Sequence, residues 1–148
     1  VKFTIKNFGI GTKGSFSGLT GEIQFDPGKP AEAVFNVCLD ARTVDTDNSA
    51  RDKHLRKESY FHVDKYPQIC FISSSLSRTA TGYVIKGKFN MKGISKEISF
   101  PCKAIAREGG YLFTGECKIN RLDFNIGTSS TFLSDNLVLN ISVFAKKG

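Results

Sequence analysis

The chain has 148 residues, enough to bury about two thirds of its unfolded surface around one core without help from disulfides or metals, so one domain over 1–148 is expected. Its 13 Phe and 4 Tyr, against one Met and no Trp, supply a heavy aromatic load, and the scarcity of Leu argues against a helix bundle. The formal charge of +7 points towards something anionic, whether nucleic acid, a lipid headgroup, a pyrophosphate or an acidic membrane surface, without choosing among them. There is no run of about 18 apolar residues for a membrane-crossing helix and no basic start with an apolar run for a signal peptide.

The chain opens with Val1, Phe3 and Ile5 alternating with Lys2, Thr4 and Lys6, the period of two that turns one face of a strand to a core. Gly9-Ile10-Gly11-Thr12-Lys13-Gly14 then matches G-x-G-x-x-G. A dinucleotide site needs a helix next, to hold the pyrophosphate at its N-terminus. Ser15 to Phe25 is instead glycine-punctuated and strand-like, so the glycines are expected to form a turn or a barrel corner. Leu19, Gly21, Ile23 and Phe25 share a face, and Asp26-Pro27-Gly28 ends that strand. In the next strand, Ala33 to Ala41, Phe35, Val37 and Leu39 point one way and Asn36, Cys38 and Asp40 the other.

The stretch from Arg42 to Phe71 breaks the alternation. Its front half is dense in charge and its back half carries Tyr60, Phe61 and Tyr66, a combination that marks a functional loop or lid. A short helix is expected inside it, capped by Ser49, with Asp52 suited to its positive end. Leu55 and Phe61 would anchor the loop to the rim. An Arg51 ion pair with Asp45, Asp47 or Asp52 would fold it.

Strands resume at Gln68 to Ser74. A long hairpin follows, with Tyr83, Ile85, Phe89 and Met91 inward and Lys86, Lys88, Asn90 and Lys92 outward; Gly93 to Lys96 turns it. Ile98, Phe100, Cys102 and Ala104, then Tyr111, Phe113, Cys117 and Ile119, and finally Leu137, Leu139, Ile141 and Val143 continue the alternation. Eight antiparallel strands result, fitting a sandwich or an up-and-down barrel. The barrel is preferred because closure removes exposed edges and leaves room for one small ligand, and inward Gly21, Gly87 and Gly115 beside large Phe side chains suit a tapered interior.

Cys38, Cys70, Cys102 and Cys117 lie singly inside strands, without the paired spacing of a zinc or redox site. They are expected as buried free thiols. A Cys102–Cys117 bridge is the one pairing that the turn at Glu108-Gly109-Gly110 would allow. His54, His62 and Cys70 share no metal-ligand spacing, and no G-x-S-x-G elbow or base beside a nucleophile supports catalysis, so neither a metal nor an enzyme is expected.

Several segments carry a family resemblance. They are Thr43-Val44-Asp45-Thr46, Arg51-Asp52-Lys53-His54-Leu55 and Tyr60-Phe61-His62-Val63-Asp64-Lys65-Tyr66-Pro67-Gln68-Ile69-Cys70-Phe71. Gly87 to Lys96 and Ile119-Asn120-Arg121-Leu122-Asp123-Phe124-Asn125-Ile126-Gly127 follow in order. Together they resemble the YceI-like family of lipocalin-like polyisoprenoid-binding proteins, with departures at His62, where Asp is common, and at Asn7, where His is. The resemblance implies an all-β, eight-stranded, antiparallel lipocalin-like barrel with a short helix in the central loop. It further implies non-enzymatic transport or storage of a long-chain hydrophobic ligand: a polyisoprenoid, an isoprenoid quinone or a fatty-acid derivative. The family is mostly bacterial and frequently periplasmic, so a periplasmic or secreted setting is expected, with a cytoplasmic one still open.

Such a ligand needs an apolar lining with a few polar groups at its mouth. The inward positions proposed for the tail are Phe3, Ile5, Ile23, Phe25, Phe35, Val37, Phe71, Ile85, Phe89, Met91, Phe100, Phe113, Ile119, Leu139 and Ile141, although parity does not separate a filled barrel from a hollow one. For the head, Arg51 offers a forked donor and His54 a neighbouring polar group. The rival is an OB-like barrel binding single-stranded nucleic acid. It would need aromatics among the basic stripe of Lys86, Lys88, Lys92 and Lys96, whereas the aromatics take the opposite parity, so no nucleic-acid partner is expected. The stripe leaves contact with a membrane surface open, and a homodimer is open too.

Overall fold

The computed structural model describes residues 1–7, 10–128 and 133–146. The alternating segments form β1 (Lys2–Asn7), β2 (Ile10–Gln24), β3 (Val34–Asp45), β4 (Gln68–Thr79), β5 (Gly82–Met91), β6 (Ile94–Arg107), β7 (Gly110–Asn120) and β8 (Leu133–Lys146), with α1 (Ser49–Leu55) between β3 and β4. Each strand pairs antiparallel with its neighbours in the chain, and β8 returns to β1, closing an eight-stranded barrel. Large rings from successive strands, Phe3, Phe35, Phe89, Phe100 and Phe113 among them, are buried.

The corner of the barrel is not at the first glycines. Gly11 and Gly14 lie in a regular ladder with β1, where Phe3 faces Gly14 and Ile5 faces Thr12; Gly9 lies outside the described residues. No helix follows them, since β2 runs on to Gln24. The bend comes later. The β2–β3 register shifts twice between Ser15 and Thr20, Gly18 has φ 72° and Gly21 has φ 126°, and a Cβ at Gly21 would lie 2.1 Å from the Asn36 carbonyl oxygen. Only glycine meets both demands.

The cysteine pairing differs from expectation. Cys38 and Cys70 stand directly opposite each other on β3 and β4 and form a disulfide. Cys102 faces Gly115, so it is offset from Cys117, and both remain buried free thiols. The turn does bring β6 and β7 together, but the register decides the pairing. Register also breaks the basic stripe. Lys96 faces Phe89 and so takes the parity of the inward residues. Lys92, at φ 54° in the hairpin turn, donates to the Asn125 carbonyl at 2.7 Å. Lys86 is 3.1 Å from Glu97.

Helix α1 is capped by Asn48 rather than Ser49: the Asn48 side chain accepts from the Arg51 backbone N–H at 3.0 Å. β4 runs to Thr79, past the expected end at Ser74, burying Leu76. A short 3-10 helix, Arg121–Phe124, follows β7. Its Arg121 side chain is 1% exposed and donates to the carbonyls of Ser134 and Ile126 at 2.9 and 2.8 Å, fastening the start of β8 to the end of β7.

Candidate functional site

Alternation on eight strands turns one file of side chains per strand towards the barrel axis. These files do not meet completely. They enclose a cavity of about 130 Å³, and apart from Thr114 and the cysteines every side chain bordering it is apolar. Leu19, inside the β2 bend, borders the cavity while remaining 39% exposed.

Of the residues expected to line a tail site, Phe3, Ile23, Phe35, Val37, Phe71, Ile85, Phe89, Met91, Phe100, Phe113, Ile119, Leu139 and Ile141 border the cavity. Ile5 and Phe25 do not. Ile5 packs where β1 pairs with Thr12 and Leu137, and Phe25 lies just past β2 among the rings of Tyr83, Tyr111 and Phe113. The wall also includes Leu39, Ile69, Ile98, Leu137 and Val143, which lie in the same alternating files as the residues expected for the tail. Phe16 has no such signal, and Phe61 was expected only to anchor the loop to the rim. The first lies just before the β2 bend and the second in the central loop.

Those two rings close the end of the barrel beneath α1. Phe61 meets Phe16 edge-on at 5.3 Å, and Phe16 packs on Phe3 at 5.5 Å. The covering loop is held by polar contacts. Buried Asp52 accepts from the Thr46 backbone N–H at 2.9 Å and from the Thr46 hydroxyl at 2.5 Å. Arg51 donates from Nε to Thr46 Oγ1 and from Nη2 to the Thr46 carbonyl, both at 2.7 Å. Arg56, which sequence reasoning passed over, reaches the carbonyls of Arg42 and Val44 at 3.1 and 3.3 Å. Arg51 therefore binds Thr46 where an ion pair with Asp45, Asp47 or Asp52 was expected. His54 is exposed, its ring 5.0 Å from that of Tyr60. Neither Arg51 nor His54 borders the cavity.

At the opposite end the rings of Phe25, Tyr83, Tyr111, Phe113 and Phe35 form a second closure. Two ionisable groups in the wall, the thiols of Cys102 and Cys117, are both pushed by burial from 9.0 up to about 11, with Glu116 adding to the shift at Cys117. Both therefore stay protonated and weakly nucleophilic near neutral pH. The wall can solvate an apolar chain. Among the described residues no group of three or more His, Cys, Asp or Glu side chains is placed to hold a metal.

The profile of the YceI-like domain matches residues 1–145. A UPF0312 protein of Yersinia enterocolitica is 33% identical over 150 aligned positions, covering 97% of this chain and 78% of the relative. Among solved structures, the Campylobacter jejuni YceI protein superposes with a TM-score of 0.82 at 30% identity, covering 93% of this chain and 85% of the other. Burkholderia cenocepacia BcnA has a TM-score of 0.92 at 24% identity, over 98% and 94% of the two chains. A polyisoprenoid binding domain from Saccharophagus degradans reaches 0.75 at 14% identity, over 99% and 92%. These last two likenesses concern the fold alone.

Proposed function

The chain belongs to the YceI-like domain family, and from that premise we propose that its barrel binds a long-chain hydrophobic molecule, a polyisoprenoid, isoprenoid quinone or fatty-acid derivative, which it carries or stores without chemical change. The observation that supports this reading is the apolar cavity along the barrel axis. A polyisoprenoid binding domain with the same fold adds support.

Size sets a condition on the proposal. A cavity of about 130 Å³ is close to the roughly 150 Å³ that takes a benzene-sized guest in an engineered apolar cavity, so a tail of several isoprene units requires the wall to widen. Each methylene moved from water into the wall contributes about 0.8 kcal/mol, against about 0.5–1.5 kcal/mol for turning one side chain off its preferred rotamer. A tail that buries several methylenes for each displaced ring is favoured, so affinity comes from the tail. Arg51 and His54, on the loop above the cavity, serve as the head-group contacts in this reading. The Cys38–Cys70 disulfide supports a periplasmic or secreted setting, because such bridges persist in oxidising compartments.

Native mass spectrometry of gently purified protein, followed by organic extraction, tests the proposal. A hydrophobic adduct, or uptake of added geranylgeraniol, is the expected result; protein that neither carries an adduct nor takes up the alcohol overturns it. Arg51→Ala should weaken geranylgeranyl phosphate about tenfold more than the alcohol, the scale of one charge-assisted hydrogen bond. Equal losses would assign Arg51 to loop folding alone.

A further inference from the structure

We propose, on the basis of the lipid-binding reading, that the aromatic closure opposite α1 is a length gauge, and that Phe25 sets how long a chain the barrel accepts. Phe113 and Phe35 border the cavity and touch each other edge to face at 5.1 Å. Phe25 does not border it. It stands one layer behind, 5.1 Å from Phe113 and 5.1 Å from Tyr111, with Tyr83 at 5.6 Å, all three contacts close to perpendicular. A chain advancing along the axis therefore meets Phe113 first, and Phe113 can yield only if Phe25 does.

Phe25 is held from outside. It follows the last residue of β2 and precedes a tight turn in which the Gly28 N–H donates to Asp26 Oδ1 at 2.8 Å and the Lys29 N–H to the Asp26 carbonyl at 2.9 Å. The Arg78 guanidinium donates to the Pro27 carbonyl in the same turn. The half-buried ring is hemmed in by three edge-on neighbours on its barrel side and by a braced turn beside it. The other end differs in kind: it is closed by Phe61 from the central loop, where the polar side chains Arg51 and His54 also sit. The head belongs at the loop end, and the tail runs towards the gauge.

The barrel thus accepts a tail up to the depth at which it strikes Phe113. Phe25→Ala removes the stop, lets Phe113 swing back and deepens the cavity. Each further buried methylene is worth about fourfold in affinity. The variant therefore gains about tenfold or more on the first chain that overruns the wild-type limit, while shorter chains bind within about twofold of wild type.

The test is a set of binding isotherms for wild type and Phe25→Ala against geraniol, farnesol, geranylgeraniol and solanesol, with thermal unfolding confirming that both proteins are folded. Wild-type affinity should rise with length and then level off, and the variant should level off at a longer chain. An unchanged limit in a folded variant overturns the gauge and leaves lipid binding standing. If none of the alcohols binds either protein, the lipid-binding reading itself fails, and the gauge with it. Should Phe25→Ala not fold, Phe25→Leu, which keeps an apolar side chain at the site, carries the test. It is expected to shift the limit in the same direction by a smaller step, and no shift overturns the gauge.

Discussion

Asp52 is a buried carboxylate whose partners both belong to Thr46, and it joins the first turn of α1 to the end of β3. Asp52→Ala deletes two hydrogen bonds to a charged group and strands the Thr46 N–H, so it should destabilise the protein by about 2–3 kcal/mol in urea unfolding. Gly87 answers to backbone proximity. A Cβ there would come within 2.3 Å of the Ile72 carbonyl oxygen and 2.7 Å of Ser73 Cα, where the β4–β5 register shifts. Gly87→Ala is expected to cost roughly 1–3 kcal/mol, because neither strand can withdraw without breaking its ladder. The buried thiols make stability depend on alkaline pH. Their folded values, about 11, lie above the ordinary 9.0, so the unfolded chain loses these protons first. The favourable contribution is full below pH 9 and is lost as pH rises towards 11. A folded Cys102→Ala, Cys117→Ala double variant should lose less stability than wild type over that window in chemical denaturation.

At the scale of elements, the excursion from β3 to β4 is closed at its base by the Cys38–Cys70 bridge, 32 residues apart in sequence, and by the Ala41 N–H donating to the Pro67 carbonyl at 2.8 Å. A crosslink over that span restricts the unfolded chain by about 3–4 kcal/mol in the chain-entropy picture. Cys38→Ser with Cys70→Ser should lower stability by about that much, and hydrogen exchange should quicken first in α1 and around Phe61. Exchange that quickens evenly over the barrel would deny the bridge a local role. The strands themselves were legible because period-two alternation is written residue by residue. Their register was not. It depends on where each pair of strands is joined: the tight β6–β7 turn, which pairs Arg107 with Gly110, sets Cys102 against Gly115, and the regular β3–β4 ladder beneath the long loop sets Cys38 against Cys70. The helix cap was misplaced by one residue for a similar reason. Asn48 and Ser49 are both good caps, and the bonds that Thr46 donates to Asp52 and accepts from Arg51 accompany the choice of Asn48.

For the whole molecule, closure follows from β8 returning to β1, which leaves the Phe-rich files facing one another across the axis. Most of the wall was legible, because a residue's side of the sheet is a matter of parity; the width of the space was not, because it depends on how opposing rings interleave. Phe16 and Phe61 show this: one sits before a bend and the other in an irregular loop, so only the folded chain brings them together over the cavity. The central claim is that these facing files part to admit an apolar chain. A crystal structure of the protein grown with geranylgeraniol measures this directly. Continuous tubular density along the axis, with Phe113 or its neighbours turned aside and the cavity well above 130 Å³, is the expected result. Unmoved rings around a space of the same volume, with the alcohol bound elsewhere or not at all, would contradict it.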